Sequence, residues 1–314
     1  MSFGYLIKRL LAAIPVLLIV SLMAFSFIHI IPGDPAMAML GLNATPAQVE
    51  ELRREMGLDQ PLLLQYVKWL AKVLQGNMGK SVLSGRPIFQ SITERLPHTM
   101  VLASMAIMIS ILIAIPSGVI AASRQNSTTD RMVMLFALVG VSVPSFWVGI
   151  ISIIFFSVKL NWFPASGYVS IFEHFFQGLR YMVLPSISLA LVLAAVSARM
   201  MRSSMLETLR QDYIRTARAK GLSRWGSILK HGFKNALIPV VTVIGLDFGW
   251  LLGGTVVIET VFGIPGMGRL VVYAIMNRDY PMIQGVILYM AAIYMLMNLL
   301  VDILVIFLNP RIRY

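Results

Sequence analysis

Three acids stand inside apolar runs of this chain, Asp247, Glu259 and Asp302. An ionisable group in hydrocarbon is expensive and is by default a candidate for function. Asp247 lies mid-run beside Gly245, Gly249, Gly253 and Gly254, small residues that leave room for a water-filled route. A proton-coupled carrier needs such an acid, but it also shows internal repeats with interrupted helices at matching positions, and no repeat is evident. Glu259 falls at the outer end of its run, where wetting is the simpler account. Asp302 follows Asn298 by four residues on one helical face, the spacing of a hydrogen-bonded network inside a bundle.

Covalent chemistry finds no constellation. The four histidines (His29, His98, His174, His231) fall at run ends or in loops, without HExxH or paired spacing. No GxxxxGK[ST] occurs, so the chain has no P-loop of its own for ATP. With no cysteine, disulfides, thiol chemistry and cysteine-ligated metals are excluded. The 21 methionines read as packing and not as a metal path. The glycines of Gly263-Ile-Pro-Gly-Met-Gly268 follow no strand, which argues against a nucleotide cradle. Asn43-Ala-Thr45 and Asn126-Ser-Thr128 match a glycosylation pattern that is common by chance.

The strongest signal is a basic segment between two apolar runs, Arg199 to Lys234. It holds nine Lys/Arg against two acids, Glu207 and Asp212. Gly221 interrupts an otherwise helix-compatible sequence, predicting a helix over about Asp212–Lys220, a sharp turn, and a helix over about Ser223–Leu237. Ala217 and Ala219 flank Arg218, so small side chains that permit close approach stand beside cations that can pair with acids. Docking on a partner is favoured over a positive loop resting on anionic lipid.

What positions these residues is a membrane bundle. Of 314 residues 58% are hydrophobic and 13% charged, far from a soluble composition. A span needs about 20 apolar residues. Six runs approach that length: Leu10–Ile31, Met100–Ala122, Met132–Val158, Met182–Ala198, Val240–Ile258 and Gln284–Leu308. The fourth is short and is expected to continue as helix into the basic segment. The first is too long for a signal-peptide core and lacks a cleavage site, so it reads as a retained helix. Pro15, Pro116, Pro144 and Pro185 fall inside or at the ends of runs, tolerable where neighbours satisfy the freed carbonyls.

With the N-terminus inside, the inner segments carry fifteen Lys/Arg against three acids, and the outer ones eleven against eight. The excess is therefore cytoplasmic, and the net charge of +12 is a topology signal and not a nucleic-acid footprint.

The outer segment after the first run has soluble-protein grammar. Thr45-Pro46-Ala47-Gln48 is a capping-box start with Pro in the first turn, and Gly57 a stop. A second helix over about Pro61–Gln75 places Leu63, Tyr66, Val67, Leu70, Val73 and Leu74 at the spacing of one buried face. A cap on the bundle and a contact surface for an external partner remain open alternatives. Gly33-Asp-Pro35 turns the chain out of the first run. The aromatic-rich outer loop Asn161–Tyr181 reads as an interfacial belt.

The basic segment resembles the cytoplasmic coupling loop of ABC importer permeases. Arg215-Thr216-Ala217 stands where that family has Glu-Ala-Ala, and Gly221 matches its glycine. The family's proline position is Lys234 here, and the nearest proline is Pro239. The dipeptide/oligopeptide branch is a closer likeness, through Asp212-Tyr-Ile-Arg-Thr-Ala-Arg-Ala-Lys-Gly-Leu222 and Asn235-Ala-Leu-Ile-Pro-Val-Val-Thr242. Pro32-Gly-Asp-Pro35, Gly57-Leu-Asp-Gln-Pro61, Pro265-Gly-Met-Gly268, Arg278-Asp-Tyr-Pro281 and Asn309-Pro-Arg311 extend it over essentially the whole chain. Glutathione and nickel importers share this branch.

The resemblance implies an all-α membrane protein with six transmembrane helices, an external helical insertion after the first, and a helix–Gly–helix coupling loop between the fourth and fifth. Residues 1–97 would form the first helix and external segment, and 98–314 the permease domain, with the coupling loop at about 203–238. It further implies a non-enzymatic half-translocator in a bacterial inner membrane, with both termini cytoplasmic. Its partners would be a second homologous permease chain, two cytoplasmic ABC ATPase subunits that carry the ATP and Mg, an external substrate-binding protein, and the lipid bilayer. The chain itself would bind no cofactor, metal or nucleic acid. Tyr213, Arg215, Thr216, Ala217, Arg218, Ala219 and Gly221 are the coupling candidates; Asp247, Glu259 and Ser142 are the pathway candidates. The rival readings are a proton-coupled carrier built on Asp247 and a non-transporting membrane scaffold.

Overall fold

The structure, a computed structural model, describes residues 3–30, 35–40 and 44–308. The turn at Gly33-Asp34, the Asn43 pattern and the Asn309-Pro-Arg311 match lie outside the described residues. In chain order the helices are α1 (Phe3–Ile30), α2 (Pro35–Leu40), α3 (Pro46–Met56), α4 (Leu62–Leu74), α5 (Ile88–Ser123), α6 (Thr128–Ser142) and α7 (Ser145–Ser152). They continue with α8 (Phe175–Leu209), α9 (Asp212–Ala219), α10 (Arg224–Ser227), α11 (Phe233–Gly254), α12 (Val256–Phe262), α13 (Met267–Met276) and α14 (Tyr280–Leu308). Two π-helical turns, Ile153–Lys159 and Ile228–Gly232, extend α7 and join α10 to α11. Among the described residues there is no strand, only one isolated bridge between Lys80 and Pro87.

Among the described residues five helical stretches are long and apolar enough to cross a membrane: Leu11–Ile30, Ile88–Ser123, Phe175–Leu209, Arg224–Gly253 and Tyr280–Leu304. Two bent helix pairs raise the number to seven if each is one span. The third expected span, over Met132–Val158, is sharply bent. Val143 is extended (φ −93°, ψ 124°) and α7 leaves α6 at 97°. The cause is Pro144, which pushes the residue before it out of the α region; the apolar run hides this because both arms are equally hydrophobic. The fifth run is continuous with the helix expected from about Ser223, which begins at Arg224; the departure is at its end, where the helix pauses at Thr255 and resumes as α12.

The chain divides into two compact units. One comprises Met100–Ile264 with the chain from Met297 onward; the other comprises residues 2–99 with Pro265–Leu296. In the first, α8 is the axis: two thirds of its apolar window (67%) is buried, against 17–39% for the other spans. Small residues let its neighbours close on it, as in other membrane bundles. A Cβ on Gly118 of α5 would come within 2.6 Å of the Met201 Cβ, and one on Gly140 of α6 within 2.7 Å of the Ala195 Cβ.

The second unit is centred on Ile28, Ile88, Ile92, Met267, Leu270, Ala274, Tyr280, Ile283 and Val286. Buried Asp279 closes it by accepting from the Ser81 hydroxyl at 2.5 Å and the Val82 N–H at 3.4 Å, which gives the Arg278-Asp-Tyr-Pro281 motif a structural role.

The external segment keeps its local grammar. The Thr45 hydroxyl accepts from the Gln48 N–H, the Gln48 side chain accepts from the Thr45 N–H at 2.9 Å, and Gly57 ends α3 at φ +68°. The single buried face expected on α4 is corrected. Tyr66 and Trp69 turn toward α1, but Leu63, Val67 and Leu74 are 75%, 53% and 79% exposed.

Candidate functional site

The basic segment folds as a short helix, a left-handed turn and a second helix that runs into a span. Gln211, extended, starts α9, and Asp212 stands in its first turn, where a carboxylate favours the positive helix end. Gly221 sits at φ +89°. Its N–H donates to the Arg218 carbonyl at 2.9 Å and the Leu222 N–H to the Ala217 carbonyl at 3.3 Å, so the left-handed residue seals the helix end. Ser223 then caps α10, its hydroxyl accepting from the Gly226 N–H at 3.1 Å.

The helix is two-sided. Ile214 and Ala217 face into the chain, 1% and 9% exposed. Tyr213, Arg215, Thr216, Arg218 and Ala219 are exposed, as is Gly221. Of the coupling candidates, Ala217 therefore serves to seat α9, while the others form an outward cationic face. Arg215 reaches Asp212 at 3.3 Å, a solvated i,i+3 pair of little energetic weight.

Two contacts fix this element to the bundle, through Arg224 and Tyr213, and two more join the spans around it. Asp130, at the start of α6, receives Arg202 of α8 in a two-pronged pair, Nε to Oδ1 at 2.5 Å and Nη2 to Oδ2 at 2.7 Å. The Arg224 guanidinium donates to the Ser123 carbonyl at the end of α5. The Ser204 hydroxyl donates to the Ala236 carbonyl at 2.9 Å, and the Asn235 amide to the Tyr213 hydroxyl at 2.8 Å. Beneath them Val119, Met201, Met205, Ile228, Ala236 and Val240 form a buried apolar cluster.

Sequence reasoning missed the Asp130–Arg202 pair. A signal was present: Asn126-Ser127-Thr128, matched above to a glycosylation pattern, is the cap of α6. The Ser127 hydroxyl accepts from the Asp130 N–H at 3.3 Å, and Asn126, at φ +65°, donates its N–H to Asp130 Oδ2 at 2.9 Å.

The pathway candidates have separate environments. Asp247 is half-buried on α11 and its Oδ2 is enclosed without a hydrogen bond. Glu259 is fully buried, and its Oε1 accepts from the Thr255 hydroxyl at 2.9 Å across the first turn of α12. The expectation of a wetted Glu259 is thereby corrected; the helix restart at Val256 draws it inward. Ser142, exposed at the elbow of α6, donates to the Leu138 carbonyl at 2.8 Å. The Asn298 Oδ1 is enclosed without a hydrogen bond, so that oxygen does not complete the network expected with Asp302.

Two adjacent family patterns match this chain. Residues 114–314 match the binding-protein-dependent transport system inner membrane component, and residues 2–103 its N-terminal region. A putative peptide transport system permease protein of Brucella melitensis is 46% identical over 100% of both chains. The glutathione transport system permease protein GsiC of Escherichia coli K12 is 44% identical over 99% of both. A solved amino acid ABC transporter with histidines aligns over 71% of this chain and 94% of its own, at 16% identity and a TM-score of 0.48.

Proposed function

Since the chain belongs to the binding-protein-dependent transport system inner membrane component family, we propose that it forms one half of the translocation pathway of an ATP-driven importer. Its cargo on this reading is a peptide or a related small solute such as glutathione, by likeness to its relatives. The family and the apolar helices make it a multi-pass inner-membrane transport protein. A second, similar permease chain, two ATPase subunits and an external binding protein complete the machine, and ATP hydrolysis belongs to the ATPase subunits.

The observation that carries the proposal is the outward cationic face of α9, on a helix–turn–helix that two contacts fasten to α5 and α11, with α6 and α11 tied in turn to α8 behind it. A push on that face is delivered to several spans at once, and a two-state bundle biased from both sides is what alternating access requires. The carrier and scaffold readings leave this surface without a purpose.

Charge reversal tests it. Arg215→Glu with Arg218→Glu removes two attractions to an acidic surface and adds repulsion beside Asp212, about 1–3 kcal/mol for each desolvated contact. In vesicles reconstituted with all subunits, the double variant should insert normally yet lose ATP-dependent uptake and the stimulation of hydrolysis by loaded binding protein. Wild-type uptake and stimulation would remove α9 from the mechanism.

Topology is tested independently. The chain lacks cysteine, so single cysteines at the exposed positions Glu51, Ser166, Gln125 and Lys220 report cleanly. An impermeant thiol reagent added outside should label the first two and spare the last two. Outside labelling of Lys220→Cys would reverse the orientation and strand the docking face on the wrong side.

A further inference from the structure

Helix α4 belongs by sequence position to the external segment, but its contacts place it elsewhere. The Tyr66 hydroxyl lies 2.8 Å from the Ser21 hydroxyl, the Phe25 ring meets Tyr66 edge-on with centroids 5.5 Å apart and Trp69 at a tilt with centroids 5.8 Å apart, and His29 Nε2 lies 3.1 Å from Gln65 Oε1. Ser21 sits in the middle of the span Leu11–Ile30. Nine residues from the end of that span correspond to about 14 Å of depth at 1.5 Å per residue, roughly half of a ~30 Å hydrocarbon core. A helix tied to that depth is below the membrane surface.

The chemistry of α4 fits this position. Gln65 and Tyr66 on its inner side are both partnered: Tyr66 through Ser21, while Gln65 donates to the Gln60 carbonyl at 2.7 Å and the Leu58 carbonyl at 3.3 Å and faces His29 with its oxygen. Such closure is what hydrocarbon demands. The opposite side is an apolar stripe of Leu63, Val67 and Leu74, with Leu64 at its margin, that this chain leaves uncovered. The turns of α1 before Ser21, on the face that meets α4, are equally bare and apolar, with Ile14 51% and Leu18 46% exposed. Lys68 and Lys72, four residues apart, flank the stripe on one side only, where long stems can reach headgroups. The neighbouring α3 shows the contrast, for its exposed side carries Glu50, Glu51, Arg53 and Arg54 and suits water.

We propose that α4 lies in the bilayer leaflet at the C-terminal end of α1, with acyl chains covering the Leu63–Val67–Leu74 stripe. The occupant is lipid because the stripe continues the bare apolar surface of a membrane span, and because its single basic edge is that of an interfacial amphipathic helix. The proposal rests on α1 being a span and not on the transport reading.

Spin labels on single cysteines test it in the complete transporter, reconstituted in lipid nanodiscs. Leu63→Cys, Val67→Cys and Leu74→Cys carry the probe on the stripe, and Ala71→Cys, a small-for-small change at its border, guards against disruption by the larger replacements. Gln75→Cys, exposed just past the helix, is the aqueous reference. Relaxation by oxygen, which concentrates in hydrocarbon, should exceed relaxation by a water-soluble nickel chelate at the stripe positions and at Ala71, and the order should invert at Gln75. Chelate access to the stripe equal to that at Gln75 would make α4 an aqueous cap. Protection of the stripe from both reagents would make protein, a second permease or an external subunit, its cover. Either result overturns the lipid assignment.

Discussion

Gly221→Val is expected to abolish uptake while leaving the chain inserted in the membrane. The residue sits at φ +89°, where side chains are strained and a β-branched one most of all. Space is not the difficulty, because a Cβ at this position would meet nothing within 4 Å. The penalty is conformational, about 1–3 kcal/mol for holding such a residue in a sparsely populated region. The short helix α9 relieves it by giving up the seal formed by the Gly221 and Leu222 N–H groups. Its cationic face then loses its fixed aim. Gly221→Asn supplies the control, since Asn tolerates the left-handed region far better, and it should retain a substantial part of uptake. Equal loss in both variants would point to a need for the bare glycine surface itself; full activity of Gly221→Val would sink the coupling role of the turn.

The second large effect is expected at Asp130. The Asp130 side chain is 4% exposed and that of Arg202 22%, so Asp130→Leu leaves a largely shielded guanidinium without its counter-charge and the Asn126 N–H without its acceptor. Breaking one side of a fully buried pair costs 3–5 kcal/mol; with Arg202 partly wetted the expectation is roughly 2–4 kcal/mol. In the detergent-solubilised transporter this should lower the unfolding midpoint by on the order of 5–10 °C. Asp130→Leu with Arg202→Leu removes both charges and should recover most of that loss, because apolar replacement of a whole buried pair is often neutral. If the single and double variants melt alike, the pair contributes nothing specific.

The features that were legible in the sequence are those encoded within a few residues. The capping box at Thr45, the stop at Gly57 and the helix–Gly–helix form of the basic segment each depend on neighbours in the chain, and each is present. The continuation of the fourth run into the basic segment is seen in α8. What was illegible depends on partners. Asp130 and Arg202 are 72 residues apart, and nothing in either neighbourhood names the other. On α4 the apolar residues serve two surfaces, one against α1 and one facing away, and periodicity alone merges them into a single face. Hydropathy likewise sees no elbow at Pro144, because a broken apolar run has the same average as a straight one.

The π-helical turn at Ile228–Gly232 has a consequence of another kind. It joins α10 to α11 without interruption while inserting an i→i+5 turn into an i→i+4 ladder. Each residue of an α-helix advances the azimuth by about 100°, so the widened turn sets the rotational phase of everything after it. Ala236 and Val240 meet Met201 and Met205 only in that phase. These five residues therefore hold an angular offset between the basic turn and the span. Loss of one residue there would leave the helix intact but turn Ala236 and Val240 away from α8.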